Sequence, residues 1–589
     1  MIPALVSLAA PAARLQRGSL AAELSTPVSV FSYNSGSVAA SAPENEQQAM
    51  HEVDELARLN KAGVQTEFNL MDASWFAAES GYRNLRPGGW PNGADGWLQK
   101  CREAGIRPGL RINGNALPTQ MASQEIPAAW KNSLSGDGPS LSLFEGGYLA
   151  DLMSALQTWY DRGVRFFEFD SIDLSVATPA AAARLSGPEI AARNAAALRQ
   201  ALLSFRTSNR EAVIVVSLEP GVHRNLPISA ATTAKPGEQG PPSQGDWDQL
   251  GAITLVSTGV PRLATAPQAN LWRTIDIESD ESVRRLEESG FLLAQIESDG
   301  FTASGSAGAG MHAWKGAFLL SMARGGWVHS MHGDVSLIEK DDARWMAHAQ
   351  HLFLTLQEQG SLRSFGAPAG SGEPYGFAAS SARGSVYVVV NPSDATATLT
   401  LPSFGPGAAN RSVGRVQFSD AGFRPILNGS AITLGPGQMA MVGYGAYAAS
   451  SFNFGVEEDV IIPRSVETVD ADFFANGTGV LEASFQPPIE GVVRLVLRPR
   501  APDNERSSEA GKTAGGSNAG QAFTLDATQY DRPIPVRLES GNRDEHGVSW
   551  TVGEIDVNDL TPGVPLVVRF HSNDTDMASL EASAYAVEY

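Results

Sequence analysis

Apolar and polar positions follow two rhythms over roughly the first 350 residues. Short apolar runs such as PVSVFSYN, QTEFNLMDASW, IRPGLRIN, VRFFEFD and AVIVVSLEPG read as strands. Between them lie stretches with helical apolar spacing: ENEQQAMHEVDELARLNKAG, GADGWLQKCREAG, YLADLMSALQTWYDRG and PEIAARNAAALRQALLSF. The first three each end on glycine, the residue that accepts the left-handed turn closing a helix. The later units are less regular. A sixth strand is expected near ANLWRTID, a seventh in FLLAQIESDG and an eighth in GWVHSMHGD. The helices MHAWKGAFLLSMARG and KDDARWMAHAQHLFLTLQEQG flank the eighth. Alternating strands and helices predict a parallel α/β fold, and about eight such units predict a (β/α)8 TIM barrel.

The rhythm changes after about residue 358. YGFAASS, GSVYVVVNPS, ATATLTLP and QMAMVGYG are short strands between turn residues, and a second series (GVLEASFQ, GVVRLVLRPR, PIPVRLE, LVVRFHS, SAYAVEY) follows. The expected organisation is an N-terminal extension (1–26), a barrel (27–357), a β-sandwich (358–447) and a second, accessory β-sandwich (448–589). AATTAKPGEQGPPSQGDWDQ and PDNERSSEAGKTAGGSNAGQ read as long loops. The first follows the fifth strand, on the face where barrel enzymes carry active-site loops.

Composition narrows the class. The chain has 589 residues, 43% of them hydrophobic, and a net charge of −21. Such acidity argues against nucleic acid or an anionic membrane as partner. A single cysteine, Cys101, excludes an internal disulfide and a multi-cysteine zinc site. MIPALVSLAAPAARLQRG lacks a basic residue ahead of its apolar part, which favours the cytoplasm over export. No run reaches the roughly 18 apolar residues of a membrane helix.

The chemistry lies in the carboxylates at the strand ends: Asp72, Glu168 and Asp170, Glu219, Asp276, Glu297 and Asp299, and Asp334. In a parallel barrel these ends share one mouth. A mouth of carboxylates accepts hydrogen bonds from a hydroxyl-rich substrate, and glycosidic cleavage needs two such groups across the scissile bond.

Six segments in order resemble one family. NLMDASWF and RNLRPGGWPNGADGWLQKCREAGIRPGLRI resemble the second and third strands of α-galactosidase-type glycoside hydrolases, families 27 and 36 (clan D). FFEFD is similar to their nucleophile strand and LWRTIDIESDES to their acid/base segment. IESDGF and GGWVHSMHGDVSLIEKDDARWM are similar to their seventh and eighth strands. The resemblance covers about residues 27–350. It implies Asp170 as nucleophile and Asp276 as general acid/base, with Asp280 in reserve. It also implies Asp72, Glu219, Arg273 and Asp299 as residues that hold sugar hydroxyls or orient the acids.

This chain departs from the family at two places. Glu168 stands where the family has lysine, and Met71 precedes Asp72 where the family has a second acid. Arg111 on the third strand is a source for the missing positive charge, while Trp75 and Trp272 either stack on a sugar face or pack in the core. The expected activity is retaining hydrolysis of a non-reducing terminal α-linked sugar, galactose or a relative. The alternatives are an α-glucan or isomaltose-type hydrolase or transglycosylase, and a non-catalytic glycan-binding member. No cofactor is implied. The pairs His329/His332 and His348/His351 have metal-compatible spacing but read as structural, and a homo-oligomer stays open.

Overall fold

The computed structural model describes residues 28–32, 45–71, 75–115, 126–136, 140–218, 254–256, 280, 283–284, 297–303, 314–326, 328–358, 362–369, 371–403, 413–475, 479–499, 524–543, 549–571 and 580–589. The first half runs β1 (Val28–Ser32), α1 (Glu46–Ala62), β2 (Phe68–Met71), α2 (Asp95–Ala104), β3 (Arg107–Asn113), α3 (Tyr148–Arg162) and β4 (Phe166–Ile172). It continues with α4 (Gly187–Ser208), β5 (Val213–Leu218), β6 (Thr254–Val256), β7 (Glu297–Ala303), α5 (Trp314–Arg324), β8 (Val328–Gly333) and α6 (Lys340–Glu358).

Local chemistry accounts for these boundaries. Asn45 opens α1 as a capping box: its Oδ1 accepts from Gln48 N at 3.0 Å, and Asn45 N donates to Gln48 Oε1 at 3.2 Å. Gly63 closes α1 at φ 103°, and Gly163 closes α3 at φ 115°, conformations a side chain would strain.

The eight strands form one sheet in the order β6-β5-β4-β3-β2-β1-β8-β7, every adjacent pair parallel. That order is cyclic but for one seam, between β6 and β7, across which no pairing falls among the described residues. Strand side chains alternate between faces. Met71, Leu110, Ile112, Phe167, Phe169, Ile214 and Val216 join the core shared with the helices. Phe167, for instance, meets Phe205 of α4 edge to face at 5.6 Å, and Trp97 of α2 donates to Asn69 Oδ1 at 2.8 Å.

The opposite face carries Phe68, Leu70, Gly109, Phe166, Val213 and Val215. Register aligns Leu70, Gly109, Phe166 and Val213 in one row. The rings of Phe68 and Phe166 lie 5.2 Å apart. Gly109 makes room for this contact, since a Cβ there would sit 2.9 Å from Phe166 Cβ. These residues make a dry layer beneath the C-terminal strand ends.

Two expectations are corrected, and one strand was not expected. β6 (Thr254–Val256) pairs parallel with β5; the segment near ANLWRTID, where the sixth strand is expected, lies outside the described residues. Three residues of TLV between polar and glycine positions are too short to stand out by periodicity. β7 begins at Glu297, so Glu297 and Asp299 stand at its start and not at its end. The Glu297 carboxylate is tolerated inside the sheet because Ser330 of β8 donates to it. Finally, β17 (Gly455–Ile462), expected in the last unit, pairs parallel with β13 (Gly414–Gly422) of the preceding one.

The segment after α6 adds β9 (Leu362–Gly366), β10 (Tyr375–Ser381), β11 (Gly384–Val390), β12 (Ala397–Thr400), β14 (Ile426–Asn428), β15 (Ala431–Leu434) and β16 (Met439–Gly445). They build a six-stranded sheet, β17-β13-β16-β11-β10-β9, with a three-stranded partner, β12-β15-β14. Residues 465–589 contribute two five-stranded sheets around Leu481, Phe485, Leu495, Val568 and Phe570. The first β unit shares a core with the helices: Trp345 of α6 packs on Phe418 and Phe454 and donates to Phe454 O at 2.8 Å. Glu457 of β17 accepts from Lys315 N and Gly316 N, at 2.8 and 2.9 Å, and so caps α5. Among the described residues, no helix is long and apolar enough to cross a membrane.

Candidate active site

The site is built on the C-terminal halves of β3 and β4. Register pairs Arg111 with Glu168 and, one row higher, Asn113 with Asp170. Arg111 Nη2 lies 3.1 Å from Glu168 Oε1, and the two side chains keep only 15% and 5% of their surface exposed. An ion pair this sheltered is screened little by solvent. The cation sought beside Glu168 is therefore present, on the neighbouring strand. Of Asp170 the strand position is described; it is the next position of the same parity as Glu168.

Buried polar groups fix the ends of these strands. Tyr82 Oη donates to Asn113 O at 2.6 Å, and Tyr148 Oη donates to Gly114 O. Burial pushes both phenols above their ordinary range, so they stay protonated and serve as donors. Asn115 joins the strands beyond their last pairing. It donates to Leu141 O and Asp173 O and accepts from Asp173 N, all at 2.8–2.9 Å. Tyr82, Tyr148 and Asn115 were not singled out in the sequence. Nothing in its local pattern marks them, because their partners lie 26 to 58 residues away.

Other expected residues fall elsewhere. Trp75 is fully buried beside Phe76, Tyr82 and Trp159, and its Nε1 donates to Arg111 O at 2.8 Å. Its ring has no open face for a sugar, so it supports Arg111 from behind. Asp334 is a turn acid, its Oδ1 accepting from Ser336 N and Oγ at 2.9 and 2.5 Å. Asp173 accepts from Ser175 in the same way.

Asp280, the reserve acid/base, is fully buried. Its Oδ1 meets Arg324 Nη1 at 2.5 Å, and its Oδ2 accepts from Tyr375 Oη of the first β unit. Burial pushes this carboxyl up, while Arg324 and Tyr375 pull it back. Both oxygens are engaged away from solvent, which suits an anchor and not a proton shuttle. Asp72, Glu219, Trp272, Arg273 and Asp276 lie outside the described residues; Asp299 is described by its position on β7, opposite Ser330.

His329 is buried, and burial, with the Arg324 cation adding to it, pushes it down to about 4. His348 stacks on Phe454 at 4.7 Å. Among the described residues there is no cluster of three or more metal-type ligands.

No family model matches the chain, and no curated protein matches it. Solved structures do match. The galactosidase domain of an alpha-galactosidase–sucrose kinase is 9% identical over 71% of this chain and 54% of its own, at TM-score 0.47. A GH36 alpha-galactosidase from Geobacillus stearothermophilus is 11% identical over 71% and 55%, at 0.45. Alpha-galactosidase I from Mortierella vinacea is 13% identical over 72% and 98%, at 0.42. The chain spans just over half the length of the first two. At these identities and scores the likeness decides neither fold nor activity.

Proposed function

We propose that the parallel sheet closes as a (β/α)8 barrel and that the chain is a retaining α-glycoside hydrolase. Its substrate is a non-reducing terminal α-linked sugar, galactose or a relative. The observation that carries the reading is the Arg111–Glu168 row directly beneath the Asn113–Asp170 row at the C-terminal ends of β3 and β4. Barrel enzymes draw their catalytic groups from such strand ends. The cyclic strand order and the dry layer below support the same reading.

In this mechanism an Asp170 oxygen attacks the anomeric carbon while Asp276, protonated, gives its proton to the departing oxygen. The glycosidic C–O bond breaks and an ester to Asp170 forms. Water then attacks the same carbon, Asp276 takes its proton, and the ester bond breaks with net retention. The two carboxyl groups stand about 5–5.5 Å apart in such a site. Asp72, Glu219, Trp272 and Arg273 are the residues assigned to the sugar, with the Arg111–Glu168 pair beneath them; Asp299, at the start of β7, is not among them.

A panel of nitrophenyl α-glycosides, with the product anomer followed by NMR, tests this. Turnover is expected with retained configuration, and Asp170→Asn is expected to lower kcat at least about 1000-fold. Full hydrolysis by Asp170→Asn removes the nucleophile assignment. Glycan binding without turnover, unchanged in Asp170→Asn, replaces hydrolysis with a binding role.

A further inference from the structure

β13 has two neighbours in its sheet, but not over its whole length. It pairs with β16 from Gly414 onward and with β17 only from Phe418 onward. Among the described residues, one edge of Gly414–Val416 therefore meets no strand, which leaves peptide donors and acceptors open there. These three residues line a cleft of about 820 Å3, a size that suits a small ligand. An open edge this short falls below the usual strand length of about 5–6 residues and so is a poor template for an added peptide strand.

The side chains around the cleft are of two kinds. Val416, Leu427 and Val456 offer apolar surface, and Val456 is more than half exposed. Arg415 and Arg424 are exposed and, among the described residues, meet no carboxylate. Two unopposed cations in one cleft stand out on a chain of net charge −21. Asp420 also lines the cleft, but it is buried in the sheet and its Oδ2 accepts from Met439 N at 2.8 Å.

We propose that this cleft binds an acidic saccharide, at a site of the first β unit separate from the strand ends of the parallel sheet. Guanidinium groups hold a sugar carboxylate through their paired N–H donors. The open peptide groups of Gly414–Val416 exchange hydrogen bonds with ring hydroxyls, which both donate and accept. The apolar wall takes the C–H face of the ring out of water. The site does not rest on the glycosidase reading, and its test needs no turnover.

Calorimetric titration of the full chain with galacturonate and glucuronate trimers tests this, with their methyl esters and acetate as controls. Wild type is expected to bind an acidic trimer, its methyl ester at least about 10-fold more weakly, and both acids less tightly as salt rises. Arg415→Gln and Arg424→Gln, exposed changes that leave the core untouched, should each weaken binding about 10-fold and together abolish it. Val456→Glu, which sets a like charge on the apolar wall, should abolish it too. No binding of either trimer by wild type overturns the proposal, as does equal binding of acid and ester. Binding that survives in the double arginine variant also overturns it, and its loss in Asp170→Asn would then put the sugar at the strand ends of the parallel sheet. Acetate that competes as well as the trimers overturns the saccharide assignment.

Discussion

Gly109 decides how closely β3 can approach its neighbours. Its missing side chain lets Phe68 and Phe166 meet across it, and a Cβ would sit 2.9 Å from Phe166 Cβ and 3.1 Å from a Leu70 methyl. The first contact is closer than packed atoms tolerate and the second is tight, so a Cβ there would force its buried neighbours to shift. Gly109→Ala is therefore expected to destabilise the chain by about 1–3 kcal/mol, read as a lower urea midpoint at unchanged slope. Asp280 belongs at the same scale. With both oxygens engaged by Arg324 and Tyr375, it is a buried anchor whose removal takes a carboxylate from a buried cation. No local pattern distinguishes it from Asp276 in IDIESD. The place of Asp280 is set by Tyr375, 95 residues further on.

At the scale of elements, Glu457 is the most telling link. A carboxylate from β17 accepts from two first-turn amides of α5, satisfying donors that the helix itself cannot and opposing its positive end. Glu457→Ala is expected to cost about 1–2 kcal/mol, measured by urea unfolding, with Glu457→Gln losing less because its carbonyl oxygen still accepts. The elements themselves were largely legible. β1 to β5 and the helices between them follow from apolar spacing and from Gly63, Gly105 and Gly163 at the helix ends. The elements that were not foreseen share a cause. β6 is three residues long, β7 opens on a carboxylate hidden by Ser330, and β17 alternates toward a sheet whose other strands lie earlier in the chain. Each is set by a partner strand rather than by its own pattern. At the site, the Glu168–x–Asp170 spacing was legible. The pairing of Glu168 with Arg111 was not, because register is a property of two strands.

For the molecule as a whole, His329 ties acid sensitivity to the junction of sheet, helices and first β unit. It is buried beside Arg324, which also holds Asp280 and through it Tyr375. Its folded value, about 4, lies below the ordinary 6.5. Between those values the unfolded chain binds a proton that the folded chain refuses. The stability its neutral ring brings is therefore complete above pH 6.5 and is lost as pH falls toward 4. The loss amounts to roughly 3 kcal/mol. Urea midpoints measured from pH 7 to pH 4 should fall for wild type and fall less steeply for His329→Asn, which has nothing to titrate.

The cap that Glu457 places on α5 also bears on ancestry. A helix whose first turn is completed by a residue about 140 positions downstream cannot be inherited without it. Recombination that exchanged the strands after α6 for those of another protein would leave α5 with two bare amides and Trp345 without Phe454. The eight parallel strands and the first β unit are thus expected to descend together as one heritable piece, while the sheets that begin at Ser465 are freer to be traded.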